Sequence, residues 1–400
     1  MTLTLTPLRK IFAALGTSAV LAACTSHPAR PPGGAHATLH IKPHDTEQFA
    51  LRGYLTPSRQ SVISHREQRT TPAGEVDMLL LLPERGGPYP LVVYLPGLGE
   101  AIDAGQIWRQ AWAEAGYAVL SLQLMSDGPA VWASPAARSG DFAGIARQSV
   151  APARVRSRTT SLYEILADLT ERTRQDGNSP YARIDIDHIV LAGFELGATG
   201  ALAAAGSATT QGEGASRIVA IIAIAPLSAA GRDHDHDTAS PATPPVLYVS
   251  GRPGDRYRLG RSAPDPDSPD SRLMHEDSYV LDLPEIDHML LSGALVSALP
   301  RESGRGRAAG EMPGGGPNAA SSGGGPGRPG PGSRPMPGMN QPPDGLDPRA
   351  AGEQERARVA IRSVTLAFLD AYVQRDSTAD RWLYQRANGW LGSIGELRWK

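Results

Sequence analysis

Gly193-Phe194-Glu195-Leu196-Gly197 places a carboxylate where an apolar run turns sharply into a helix. Asp187 to Ala192 reads as a short buried strand, and Ala198 to Ala205 as a small-residue helix beginning after the second glycine. A side chain at the crest of such a turn sits at a helix N-terminus, where converging amides and the helix dipole favour an anion. Glu195 can there attack an electrophilic carbon, act as general base on water, or fold its carboxylate back and plug the site. The other conspicuous run is Asp233-His234-Asp235-His236-Asp237. Alternating imidazole and carboxylate suits zinc or a similar ion. In an extended segment, however, only His234 and His236, or Asp233, Asp235 and Asp237, face one way. Between Gly231 and Pro241 a solvated charged turn is the expected state, so no metal site is assigned.

The elements that must position Glu195 alternate between two periods. Glu75 to Leu82 and Leu91 to Leu95 read as strands, the latter bounded by Pro and Gly. Ile107, Trp108, Ala111, Trp112 and Ala115 follow a helical period closed by Gly116, and Tyr117 to Leu122 resumes a strand. Leu162, Ile165, Leu166 and Leu169 line one face of a helix over Thr159 to Arg174. Ile218 to Ala225 and Val246 to Val249 are unbroken β-prone runs suited to strands covered on both faces, and Tyr279 to Leu283 is a further strand. A last large helix is expected over Glu353 to Arg375. The predicted fold class is α/β, with a mostly parallel central sheet flanked by helices. Little between Thr38 and Gly74 shows a clear period.

From about Val76 to Leu383 the chain resembles an α/β-hydrolase, closest to the dienelactone hydrolase and platelet-activating-factor acetylhydrolase-like group. The resemblance rests on Tyr94-Leu95-Pro96-Gly97-Leu98-Gly99, Gly193 to Gly197, Ser250 to Asp255 and Ile286-Asp287-His288, in that chain order. It implies that Glu195 stands where the family carries a serine nucleophile, that Asp255 is the triad acid and that His288 is the general base. Pro253-Gly254-Asp255 is equally good turn chemistry, and His288 can be a satisfied surface histidine, so both alternatives stay open. Asp282 and Asp287 are poorer acid candidates. The resemblance also implies an oxyanion hole from the Leu98 and Leu196 amides, although Pro96 replaces the family's frequent histidine.

With Glu195 anionic, an imidazole flanked by carboxylates keeps its proton and is a poor base; alkylation of Glu195 would release it for a second, hydrolytic step. Two functions follow as expectations. One is a hydrolase of a small ester or related electrophile through Glu195, Asp255 and His288, with a small-molecule substrate and no cofactor. The other is a catalytically inactive relative that binds a ligand or an envelope partner. Ser121, Ser126, Ser228 and Ser250 lie at or near strand ends, and structural roles are expected for each.

The ends of the chain bear on location. Arg9 and Lys10 precede an apolar segment, Ile11 to Val20, too short to span a bilayer, and Leu21-Ala22-Ala23-Cys24 closes it. This resembles a bacterial lipoprotein signal, which implies cleavage after residue 23, lipidation of Cys24 and anchorage in the cell envelope. Thr25, rather than aspartate, after that cysteine favours the outer membrane, facing the periplasm. Cys24 is the chain's single cysteine, so neither a disulfide nor a cysteine-based zinc site is expected. Lys and Arg total 39 against 41 Asp and Glu, with no basic patch interleaved with aromatics, which argues against nucleic-acid binding. The expected organisation is a signal over 1–23, a tether over 24–50, the main domain over 51–303, a Gly/Pro-rich disordered insertion over 304–347 and a helical part over 348–400. Protein partners are not legible.

Overall fold

The computed structural model describes residues 43–56, 59–175, 177, 179–206, 217–227, 244–252, 277–294 and 348–400. Cys24 and its preceding segment, the 233–237 run, Asp255 and the 304–347 insertion lie outside them. The described strands are β1 Val62–Thr71, β2 Gly74–Pro83, β3 Tyr89–Leu95, β4 Ala118–Leu124, β5 Ile184–Phe194, β6 Ile218–Ile224, β7 Val246–Gly251, β8 Ser278–Leu283 and β9 Glu396–Trp399. They form one sheet in the order β1-β2-β4-β3-β5-β6-β7-β8-β9. From β4 through β8 all neighbours are parallel, whereas β1 with β2, β2 with β4, and β8 with β9 are antiparallel. The chain therefore has a mixed, mostly parallel sheet of α/β class.

The helices are α1 Pro43–Arg52, α2 Gln106–Glu114, α3 Pro135–Arg138, α4 Phe142–Ser149, α5 Pro152–Gln175, α6 Leu196–Gly206, α7 His288–Leu291, α8 Pro348–Tyr372, α9 Ser377–Gln385 and α10 Ala387–Leu391. The strand period of two sorts the central strands onto two cores. Val92, Tyr94, Val190 and Ala192 face one cluster with Trp108 and Trp112 of α2 and Ile361, Val364 and Phe368 of α8. Leu91, Val93, Ile189 and Leu191 face the other, with Leu162, Ile165 and Leu169 of α5 and Ala201 and Ala204 of α6. Covering both faces explains why these strands read as unbroken apolar runs.

Residues 43–50 were expected to end the tether, yet they belong to α1. The Phe49 ring stacks 4.3 Å from that of Trp390, whose Nε1 donates to the Phe49 carbonyl at 2.8 Å. That contact lies far away in sequence, where local periodicity does not reveal it.

β1 is tied to α5 by a bidentate pair, with Arg172 Nη1 and Nη2 donating to Glu67 Oε1 and Oε2 at 2.6 and 3.0 Å. The guanidinium also stacks 4.0 Å over the Tyr181 ring. Burial alone would raise the Glu67 carboxyl, but Arg172 overcomes it and holds the group at about 2, below its ordinary 4.5. A depressed folded value means that the contribution is full above the unfolded value and disappears as pH falls through the folded one. Native protein is thus expected to lose stability on the order of 1 kcal/mol between about pH 4.5 and 2 from this pair, a partly exposed and therefore screened one. Glu67→Gln should flatten that part of the profile in pH-resolved thermal unfolding. An unchanged profile would remove the pair from the account.

Candidate functional site

Glu195 occupies the turn between β5 and α6 with φ 47, a left-handed conformation that costs a non-glycine residue about 1–2 kcal/mol. Its N–H donates to the Ile224 carbonyl at 2.9 Å, and its carbonyl accepts from Thr199 N–H at 3.0 Å. The flanking glycines are required by packing. A Cβ on Gly197 would sit 2.6 Å from the Pro96 oxygen and closer still to that of Leu95. A Cβ on Gly193 would sit 2.6 Å from Ala198 N and 2.7 Å from Gly197 O. Backbone thus meets backbone where β3, β5 and α6 converge.

The Glu195 side chain is 4 % exposed as a residue, and its Oε1 contacts His288 Nε2 directly. His288 opens α7, and Asp287 caps that helix by accepting from Met289 N–H at 2.7 Å. Asp287 is thereby explained as a structural cap. Asp282, the other weighed carboxylate, accepts from Ser250 Oγ at 3.1 Å, which accounts for both residues. Arg154 Nη2 donates to Ser126 Oγ at 3.4 Å. The His288 imidazole lies 5.2 Å from the Phe194 ring, centroid to centroid.

Leu98 and Leu196 are also brought together. Their side chains share a small buried cluster with Ile145 of α4. The loop carrying Leu98 is held on both sides: Gly99 N–H donates to the Asp127 carbonyl at 2.7 Å, and Gln123 Nε2 donates to the carbonyls of Gly97 and Glu100 at 3.4 and 3.3 Å. The pieces singled out by sequence, Glu195, His288, Leu98 and Leu196, therefore meet at the carboxyl end of the parallel strands, the usual place for ligands in open α/β sheets. No protein-family model matches this chain, and no curated protein is significantly similar to it.

Sequence reasoning overlooked Glu100. Its Oε2 accepts from Gly97 N–H at 2.7 Å, which folds the carboxyl back over the loop. Burial raises this carboxyl to about 7, and the Glu195 charge pushes the same way against Gly97 N–H, His288 and Arg109. Arg109 of α2 is 1 % exposed, and its Nε and Nη2 donate to the carbonyls of Ala104 and Asp103 at 2.7 and 2.6 Å. Arg109 Nη1 and the buried Tyr94 hydroxyl have no hydrogen-bond partner among the described residues. The only signal in the sequence was a glutamate following a glycine-rich turn.

A cavity of about 50 Å³ lies beside this loop, lined by Leu95, Pro96, Leu196 and Gly197 and by Leu162 and Ile165 of α5. Its lining includes Asp127 and Arg158, paired at 2.6 Å. Its size suits a few solvent-sized groups. Among the described residues, no group of three His, Cys, Asp or Glu is placed to hold a metal, and no helix is long and apolar enough to cross a membrane.

Proposed function

We propose that the chain has the α/β-hydrolase fold, related to the dienelactone hydrolase and platelet-activating-factor acetylhydrolase-like group, and hydrolyses a small electrophile through Glu195. The observation that carries this reading is the strained Glu195 backbone, which aims its carboxylate at His288 Nε2. A non-glycine residue persists at such a φ only where its surroundings over-determine it, a state concentrated at working sites. Carboxylate attack on carbon would give an ester at Glu195. Neutralising Glu195 would free the imidazole to activate water on that ester, with the Leu98 and Leu196 amides receiving the developing oxyanion. Attack on an acyl carbon would instead give an anhydride, so displacement at an alkyl carbon fits better. The substrate is a small molecule, and nucleic acid is not expected as a partner. Leu21-Ala22-Ala23-Cys24 supports lipid anchorage at the bacterial envelope, with the outer membrane favoured by Thr25.

A second reading is a silent hydrolase relative that binds a ligand or partner. It is favoured by the near-complete burial of Glu195 and by its existing engagement with His288. Full-length chain in detergent, offered acyl esters, haloalkanes and epoxides, separates the two. Turnover that drops by at least about a thousandfold in Glu195→Gln supports the carboxylate hydrolase. Equal turnover in that variant would defeat it. No native turnover, with esterase activity gained in Glu195→Ser, would assign the silent role.

A further inference from the structure

Glu100 is a partly buried carboxyl for which the two-step scheme has no use. A Cβ on Gly97 would lie 3.1 Å from both Glu100 Oε2 and Phe194 Cδ1, so carboxyl and ring flank the same backbone point. The Phe194 ring in turn lies against His288. Glu100 and Phe194 therefore both border Gly97, and the Phe194 ring borders His288, which puts Glu100 on the loop beside the Glu195–His288 pair. The charged and titratable groups around it are Glu195 on the turn, His288 on α7, Arg109 on α2 and Tyr94 on β3. Asp127, in the turn beyond β4, has its carboxylate taken by Arg154 and Arg158 at 3.1 and 2.6 Å. Gly97 N–H holds Glu100 Oε2, which leaves Oε1 as the oxygen able to carry a proton.

We propose that Glu100 is the proton donor to an oxygen leaving group, and that the substrate class is therefore an epoxide. This rests on the reading of Glu195 as nucleophile. A halide departs as a stable anion and gains little from an acid, whereas the alkoxide formed by opening an epoxide must be protonated. In the first step a Glu195 oxygen bonds to an epoxide carbon, the bond from that carbon to the ring oxygen breaks, and the ring oxygen takes the proton of Glu100. The product is a hydroxyalkyl ester of Glu195 beside a Glu100 carboxylate. A protonated His288 then returns a proton to Glu100 and becomes a neutral base. In the second step His288 takes a proton from water as the hydroxide adds to the ester carbonyl. Collapse releases the diol oxygen, which takes the proton left on Glu195. Epoxide plus water gives diol, and every group regains its starting proton.

Charge coupling fits this order. The Glu195 anion raises the Glu100 carboxyl, so esterification of Glu195 makes Glu100 a stronger acid as the alkoxide forms.

The test compares full-length native chain with Glu100→Gln and Glu100→Asp on an epoxide and a haloalkane. Glu100→Gln is expected to lose about a hundredfold in epoxide turnover, at least about tenfold more than it loses on the haloalkane, with partial recovery in Glu100→Asp. Equal losses on both substrates, or no native epoxide turnover, would overturn the proposal. Infrared titration of the chain carrying ¹³C-labelled glutamate supplies a readout without substrate. A carboxyl titrating near neutrality should vanish in Glu100→Gln and move to lower pH in Glu195→Gln. Its absence from native protein overturns the proposal. An epoxide reaction dead in Glu195→Gln but intact in Glu100→Gln defeats this proposal alone. Turnover intact in Glu195→Gln defeats the nucleophile assignment.

Discussion

Gly197→Ala is expected to abolish the folded state or to destabilise it by more than about 4 kcal/mol, at the far end of what single substitutions do. The added methyl would overlap the carbonyl groups of both Leu95 and Pro96, and these are backbone atoms that no rotamer change can move aside. Relief would require α6 to back away from β3, opening the buried cluster of Leu98, Ile145 and Leu196 and the apolar packing of Ala201 and Ala204. Gly200→Ala, less than one turn further along the same helix, is the control. Its methyl would find only Leu95 Cδ1 at 3.7 Å, so the higher helix propensity of alanine should make that change neutral or stabilising by up to about 1 kcal/mol. Denaturant unfolding of the two variants reads the contrast directly. A cooperative, near-native transition in Gly197→Ala would show that the turn is far more plastic than its geometry implies.

His288→Ala is expected to convert turnover into a single, stalled event. If Glu195 is the nucleophile, alkylation does not need the imidazole but hydrolysis of the ester does. The steady-state rate should drop by about 10²–10⁴-fold while an ester accumulates on Glu195. Intact-mass spectrometry would show one substrate equivalent added, and peptide mapping would place it on the segment containing Glu195. Glu195→Gln should show no adduct. A His288→Ala protein that neither turns over nor gains mass, beside an active native chain, would sink the covalent route and leave Glu195 as a base on water.

The interior of the fold was largely legible because its elements carry their own period. Leu91 to Leu95, Ile218 to Ala225 and Tyr279 to Leu283 correspond to β3, β6 and β8 within a residue or two, since burial on both faces demands apolar runs. The helix expected over Glu353 to Arg375 runs from Pro348 to Tyr372. What escaped is what long-range partners decide. β1 is polar from Ser64 onward, with Ser64, His65 and Arg66 exposed, and exists because it pairs residue for residue with β2. β9 is four residues long and held by β8. The same limit applied at the candidate site. Glu195 and His288 carried a local signature, whereas Glu100 acquires its character from Gly97, Phe194 and burial, none of which a linear pattern expresses.

Among the described residues, no strand pairs with the outer side of β1, a ten-residue strand at the border of the sheet, the kind of edge on which a second sheet can grow. His65, Arg66 and Gln68 are exposed, Glu67 and Arg69 part-exposed beside them, and the strand holds no valine or isoleucine beyond Val62 and Ile63. Recruiting another strand there would press like-charged arginines together and strip water from them. The polar sequence that hid β1 from pattern reading is therefore one that disfavours edge-to-edge pairing between molecules.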